Sequence, residues 1–195
     1  MIYEETEMFL THRPSPPEIK RFLDTSQSLL FSYEQIGIAK KSPLGFKIDE
    51  VSSVIGHGEP TFARAKQALM NWEHFDLGWV ELHPQNAPVE VGTVIAVLVR
   101  HLGFWSLNGC RIVYLIDEDE TTYGFAYGTL TNHAESGEEI FEVRFDPASQ
   151  KVTYRIRAVS KARAAAARIG YPFTRVLQDR FRRDSIGAMR RALAG

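Results

Sequence analysis

The stretch TTYGFAYGTLTNHAESGEEIFEVRF, residues 121–145, decides the fold. Positions 123–128 alternate aromatic rings with glycine or alanine, and positions 141–145 alternate apolar with charged side chains. A period of two indicates β-strands, and one set of side chains on each strand faces the core. The segment NHAESG between the strands is short enough for an antiparallel hairpin. We therefore predict a hairpin whose aromatic side faces inward.

The same period continues on both sides of this hairpin, while LGFWSLNG at 102–109 is predicted to be a loop. The unbroken apolar run VIAVLV at 94–99 indicates a strand buried on both faces. The predicted strands are 46–55, 77–83, 89–101, 110–117, 122–131, 138–146 and 151–159.

Helical spacing predicts three helices. Ser15, Pro16 and Glu18 form a start signal with a capping box for a first helix at about 15–30. TFARAKQALMNW, residues 61–72, forms the second. The third is a long helix after Pro172, with arginines beside an apolar stripe. The stripe consists of Phe173, Leu177, Phe181, Met189 and Leu193.

This order of elements predicts an α+β fold. A curved, seven-stranded antiparallel sheet wraps around the long C-terminal helix, and further helices lie nearer the N-terminus. No repeat or glycine- and serine-rich linker divides residues 1–195, so we expect a single domain.

Composition narrows the class of protein. The chain is 44% hydrophobic and 24% charged, as in ordinary globular proteins, and no apolar run is long enough to span a membrane. The first residues lack the pattern of a secretory signal. Cys110 is the only cysteine, so no internal disulfide can form, and we expect a cytoplasmic protein.

The charges are unevenly distributed. Residues 151–195 hold 12 of the 23 Lys and Arg, beside two acidic residues, Asp179 and Asp184. Such a basic end either contacts an anionic partner or packs on an acidic body of the same domain. Polybasic clusters of the membrane-binding kind are absent, which favours packing. We expect no nucleic-acid partner.

The alternation directs four phenols inward, from Tyr114, Tyr123, Tyr127 and Tyr154. Buried phenols need hydrogen-bond partners, so the cluster indicates a pocket with apolar walls and a few polar groups. Two alternatives stay open. The tyrosines could complete a filled core, or the glycine side could face inward and leave the tyrosines exposed.

A second group lies after the most buried strand, where His101, Trp105, Asn108 and Arg111 fall within eleven positions. We predict that they lie at one end of the pocket and hold a polar head group, Arg111 being suited to a carboxylate or phosphate. The alternative is a structural, hydrogen-bonded loop.

The chain carries no nucleophile elbow, phosphate loop or dinucleotide fingerprint. Its six histidines lack metal-ligand spacing, so neither a metal nor a cofactor is predicted. His57, His74 and His83 lie near element ends and are expected in solvent. His133 with the nearby glutamates at 135–139 could perform acid–base chemistry if it faces a pocket; otherwise this hairpin tip is solvated.

Four segments together resemble the family of domains of unknown function numbered nineteen-ninety, found in bacteria and plants. The resemblance covers essentially the whole chain, although SKARAAAARIG at 160–170 lacks a proline that the family commonly carries there. The four segments are FDLGWVELHP (75–84), VIAVLVRHLGFWSLNGCRIVYLIDE (94–118), YGFAYGTLTNHAESGEEIFEV (123–143) and RIGYPFTRVLQDRFRRDSIGAMRR (168–191).

This family is grouped with the START-like, polyketide-cyclase-like superfamily, which implies a helix-grip fold. Members of that superfamily bind lipids, sterols, polyketides and plant hormones between sheet and helix, and some are enzymes. The family has no established reaction, so the resemblance supplies no catalytic residue.

Three functional hypotheses follow. The first is a protein that binds a small hydrophobic or amphipathic ligand, of the lipid or polyketide kind, under the C-terminal helix. The second is a cyclase, dehydratase or hydrolase, with His101 or the neighbourhood of Glu138 as titratable group. The third is an interaction module that uses the basic C-terminal helix. The sequence predicts neither the ligand nor the oligomeric state.

Overall fold

The computed structural model describes residues 9–162 and 171–194, which form eight strands and three helices. Two short 3₁₀ turns, Ile38–Lys40 and Glu73–Phe75, lie between them. In chain order the elements are β1 Phe9–Leu10, α1 Pro16–Ser26, β2 Lys47–His57, α2 Glu59–Met70, β3 Val80–His83, β4 Val94–Arg100, β5 Trp105–Asp119, β6 Thr122–Thr129, β7 Glu135–Asp146, β8 Lys151–Ala162 and α3 Tyr171–Ala194.

The sheet is antiparallel, with strand order β2-β8-β7-β6-β5-β4-β3. The two-residue β1 adds to β5, where Phe9 pairs with Ser106 and Leu10 with Trp105. The sheet curls around α3, and the predicted α+β class with a curved seven-stranded sheet and a long C-terminal helix is confirmed.

The concave face of the sheet carries the largest core cluster. Side chains of β4–β8 pack there against Phe62 and Leu69 of α2 and against Ile186 and Met189 of α3. Phe125 at the centre of β6 is completely buried in this cluster. The hairpin's aromatic side faces this core, as the alternation predicts.

The convex face is covered too, by α1 and the segment that follows it. Ile19 of α1 packs on Ala96 and Leu98 of β4, while Ile38 and Ala39 pack on the backs of β5–β8. Burial on both faces explains why residues 94–99 are apolar without interruption.

Two glycines of β6 allow close contacts, Gly128 with the convex cover and Gly124 with the neighbouring strand β7. A Cβ at Gly128 would lie 2.0 Å from the Tyr33 hydroxyl, and one at Gly124 would lie 2.3 Å from the Phe141 carbonyl oxygen. Aromatic rings therefore fill the concave side of β6, while its convex side leaves no room for a side chain at these two positions.

Glu138 fixes the convex cover. Its carboxylate is buried and accepts hydrogen bonds from the Tyr33 hydroxyl at 2.9 Å and from the backbone N–H groups of Gly37 at 2.7 Å and Ala39 at 3.0 Å. Three donors compensate the burial of a charged acceptor. Glu138 is therefore committed to holding residues 33–39 on the sheet, away from the concave face.

Tyr114 is on the convex face, so the predicted inward orientation is wrong. Ile112 pairs with Tyr127 and Tyr114 with Ala126, which leaves Val113 as an extra residue in β5. This β-bulge reverses the alternation, because every later side chain changes face. Tyr114 then packs with Val113 and Ile116 against the convex cover.

Several predicted boundaries also change, most of all at β5 and α1. Residues 105–109, predicted as loop, are the first residues of β5 and pair with β4. The first helix ends at Ser26 rather than near residue 30, and residues 27–46 form the convex cover instead. The capping box at its start is confirmed, since the Ser15 N–H donates to Glu18 Oε2 at 2.8 Å.

The arginines of α3 contact the body of the protein. Arg190 donates to Ser53 Oγ at 2.9 Å, and Arg191 donates to the Asp76 carbonyl at 2.9 Å. Arg175 donates to Asp49 Oδ1 at 2.7 Å. Much of the basic charge of α3 is therefore engaged in contacts within the protein.

No helix in residues 9–162 and 171–194 has the length and apolarity needed to cross a membrane.

We predict that Gly124→Ala lowers the free energy of unfolding by about 1–3 kcal/mol, because the added methyl meets the Phe141 carbonyl, which the sheet holds in place. Gly187→Ala in α3 is the matched control. Its Cβ would meet only Arg191 Nη1 at 3.6 Å, and alanine favours helix. Urea unfolding measures both variants, and equal stability of Gly124→Ala and the wild type would contradict the close approach of the strands.

Candidate functional site

The concave side chains become smaller along the central strands. One row across β6, β7 and β8 is Phe125, Phe141 and Ile156. Further along the strands, Gly137 pairs with Ser160, and the Thr129 hydroxyl is hydrogen-bonded to the Gly137 backbone. The large row is filled core, and its members are completely buried. The small residues leave space between the sheet and α3, because α3 lies across both groups.

This space is a cavity of about 460 Å³ between the sheet and the first half of α3. Most of its wall is apolar. The aliphatic and aromatic side chains that line it are Phe75, Trp79, Val80, Val97, Val99, Phe104, Tyr127, Ala134, Ala158, Leu177 and Phe181.

One polar group lies where β4 meets β5. His101 Nε2 is 2.8 Å from Ser106 Oγ, and Asn108 Nδ2 donates to the same oxygen at 3.1 Å. The His101 ring stacks on Phe104, with ring centroids 4.3 Å apart. Burial lowers the pKa of His101, so the ring is neutral at pH 7.

A second polar group lies on β7 and α3. The Tyr127 hydroxyl donates to Glu139 Oε2 at 2.6 Å, and Gln178 Nε2 donates to Glu135 Oε1 at 2.5 Å. Burial raises the pKa of Glu139 to about 7, although the bond from Tyr127 and the charge of Arg182 act in the opposite direction. Burial also raises the pKa of Glu135. Part of each glutamate remains accessible because it faces the cavity.

An ion-pair network adjoins these glutamates. Asp49 of β2 binds Arg175 through both carboxylate oxygens, and Arg182 Nη2 lies 3.8 Å from Asp49 Oδ1. Arg182 also forms an ion pair with Asp179. Burial raises the pKa of Asp49, whereas the hydrogen bond from Arg175 and the charges of both arginines lower it. The net effect is a pKa below the ordinary value of an aspartate.

Three of the eight residues predicted for the site line the cavity: Tyr127, His101 and Asn108. Tyr123 and Tyr154 lie on the concave face in the filled half of the core. The Tyr154 hydroxyl is 2.9 Å from Ser185 Oγ of α3, so its polar atom is satisfied there.

The other three predicted residues lie on the convex face. They are Tyr114, Trp105 and Arg111. Trp105 packs near α1. Arg111 donates hydrogen bonds to the carbonyls of Ser26 at 3.3 Å and Gln27 at 2.9 Å. A guanidinium at these carbonyls stabilises the C-terminal end of α1. The structure thus gives Arg111 a structural role in place of a ligand-facing position.

His74 differs from its predicted position in solvent. It is completely buried among Trp72, Phe75, Phe125 and Phe141. Neither ring nitrogen has a hydrogen-bond partner among the described residues, and burial lowers the pKa to about 3. The ring is therefore neutral at pH 7 and packs as an aromatic residue.

His133, Glu135 and Glu139, predicted as acid–base candidates if they face a pocket, line the cavity, whereas sequence reasoning missed Gln178 and Arg182. Glu139 follows from the alternation, since it shares parity with Phe141 and Val143 and so faces inward. Gln178 and Arg182 flank Leu177 and Phe181 on α3, and a stripe defined by apolar residues alone excludes them.

The architecture is a helix-grip fold. A hypothetical protein from Helicobacter pylori shares it with a TM-score of 0.54 and 12% identity, covering 82% of this chain and 96% of that one. A Thermus thermophilus protein matches with a TM-score of 0.54 and 11% identity, over 76% of this chain and 97% of that one. At such identities the likeness concerns the fold alone.

The chain belongs to the family described as a domain of unknown function, DUF1990, whose model matches residues 32–188. A UPF0548 protein from Dictyostelium discoideum is 33% identical, over 95% of this chain and 96% of that protein. A UPF0548 protein from Deinococcus radiodurans is 32% identical, over 89% and 92%. The predicted family membership is confirmed.

We predict that Glu139→Gln removes a pH dependence of stability. Glutamate titrates near 4.5 when unfolded and near 7 in the folded protein, so the folded state holds the proton between these values. Wild-type stability therefore falls as the pH rises through this window, by an amount of order 3 kcal/mol. The glutamine side chain of the variant is neutral throughout.

Urea unfolding at pH 5 and pH 8 measures this difference. The variant should gain stability relative to the wild type at pH 8, while Glu120→Gln at an exposed turn should follow the wild type. A constant difference between Glu139→Gln and wild type at the two pH values would show that Glu139 is ionised in both.

Proposed function

We propose that this protein binds a small hydrophobic or amphipathic molecule in the cavity between the sheet and α3. The single observation that carries the proposal is the apolar cavity of about 460 Å³, which lies within the range of small-molecule sites. A core packed at ordinary protein density would leave no volume of this size.

The distribution of polar groups also favours an amphipathic ligand. His101, Ser106 and Asn108 lie at one part of the wall, and Tyr127 with Glu139 at another. We propose Tyr127, His101 and Asn108 as ligand contacts. Apolar walls supply most of the binding energy, while a few fixed polar groups set the ligand's orientation.

The helix-grip fold supports the same proposal by analogy, because START-like proteins place hydrophobic ligands between sheet and helix. The interaction-module hypothesis has less support, since Arg175, Arg190 and Arg191 are engaged with the protein's own body.

We predict that Val99→Trp weakens binding of the neutral fluorescent probe N-phenyl-naphthylamine at least tenfold, because the indole occupies the cavity that Val99 lines. Val91→Trp is the matched control, since Val91 is exposed outside the cavity. Fluorescence titration measures the affinities, and circular dichroism verifies folding. Absence of probe binding to the wild type, or equal binding by folded Val99→Trp, would overturn the proposal.

A further inference from the structure

Two carboxyl groups of the cavity wall accept hydrogen bonds from neutral side chains. Glu139 is bonded to Tyr127, and Glu135 to Gln178. Over the described residues 9–162 and 171–194, neither glutamate forms an ion pair with a lysine or arginine. Burying an ionised carboxylate without a positively charged partner costs free energy. Two such groups at an apolar cavity therefore favour a ligand that carries a positive charge.

The neighbouring arginines are already engaged. Arg175 forms a two-point ion pair with Asp49, and Arg182 lies between Asp49 and Asp179. Asp49, Glu135 and Glu139 thus face two guanidinium groups from α3. The charge of Lys47, at the exposed end of β2, also lowers the pKa of Asp49. Among the described residues, once both glutamates are ionised, Asp49, Glu135 and Glu139 carry three negative charges against the two positive charges of Arg175 and Arg182. Asp179 also pairs with Arg182, but its side chain is 65% exposed to solvent.

Aromatic rings complete the surroundings of that position. Phe75, Tyr127 and Phe181 lie together, with the Phe75 centroid 5.2 Å from that of Phe181 and 6.4 Å from that of Tyr127. All three line the cavity. The faces of aromatic rings attract organic cations, particularly where water is excluded.

We propose that the ligand is an amphipathic organic monocation, a protonated amine or quaternary ammonium with an apolar body. Its nitrogen lies between Glu135 and Glu139, and its body extends along Val97 and Val99 toward Phe104. This inference rests on the proposed function, because it assigns the chemistry of the ligand in the same cavity.

The affinity for such a cation depends on pH. Burial raises the pKa of Glu139 to about 7, so the carboxylate becomes available as the pH rises from 5 to 8. Tyr127 and Arg182 favour its ionised form, whereas Glu135 and Asp49 oppose it. A bound cation favours the ionised form further, so binding near pH 6 releases a proton.

Three isosteric probes test the inference by calorimetry on the full chain: phenylbutylamine, phenylbutanol and phenylbutyrate. They share a body and differ in head-group charge. We expect phenylbutylamine to bind about tenfold more tightly than phenylbutanol at pH 8, with phenylbutyrate weakest. The preference should shrink toward unity at pH 5, where Glu139 is protonated.

Glu139→Gln should lose the preference for the amine and keep the affinity for phenylbutanol, while Glu120→Gln should retain both. Should Glu139→Gln fail to fold, Glu135→Gln and the wild-type pH series test the same point. If phenylbutanol or phenylbutyrate binds the wild type as tightly as the amine, the cationic inference fails while the cavity function stands. If none of the three binds and N-phenyl-naphthylamine does not bind either, the proposed function itself fails.

Discussion

The position of α3 across the concave face is the constraint on which the rest of the structure depends. The helix spans both halves of the sheet, so the size of the concave side chains decides whether the space beneath it is filled or open. Where Phe125, Phe141 and Ile156 stand in a row, the space is filled and Met189 packs on it. Where Thr129, Gly137 and Ser160 stand, it is open.

The charged residues follow from the same arrangement. Asp49 on β2 holds Arg175 and Arg182 of α3, which ties the first half of the helix to the sheet edge at the open end. Glu135 and Glu139 face the cavity beside this network. When ionised, their negative charges favour a positively charged group in the cavity. The ion pairs that position α3 therefore also determine the electrostatics of the cavity. Arg182 contributes to both, since it lines the cavity and favours ionised Glu139.

Much of the fold follows from local patterns in the sequence. Period-two alternation places Tyr123, Tyr127 and Tyr154 on the concave face, because each lies in a strand with regular pairing up to that residue. It fails at Tyr114, because the extra residue Val113 is a property of pairing between strands and leaves no mark in β5 itself. The prediction that His74 lies in solvent is wrong for a related reason. Its place in a short turn suggests solvent, but packing beneath the sheet buries it.

The site is less predictable than the fold, because a cavity is defined by what neighbouring elements leave unfilled. The decline in side-chain size along β6, β7 and β8 is visible only after the strands are aligned in register. A crystal structure of the gently purified protein tests the central claim most directly. We expect an open volume of about 460 Å³ bounded by Val99, Tyr127 and Phe181, with or without a bound molecule. Side chains that close this space to well below the roughly 300 Å³ of the smallest typical ligand sites would contradict it.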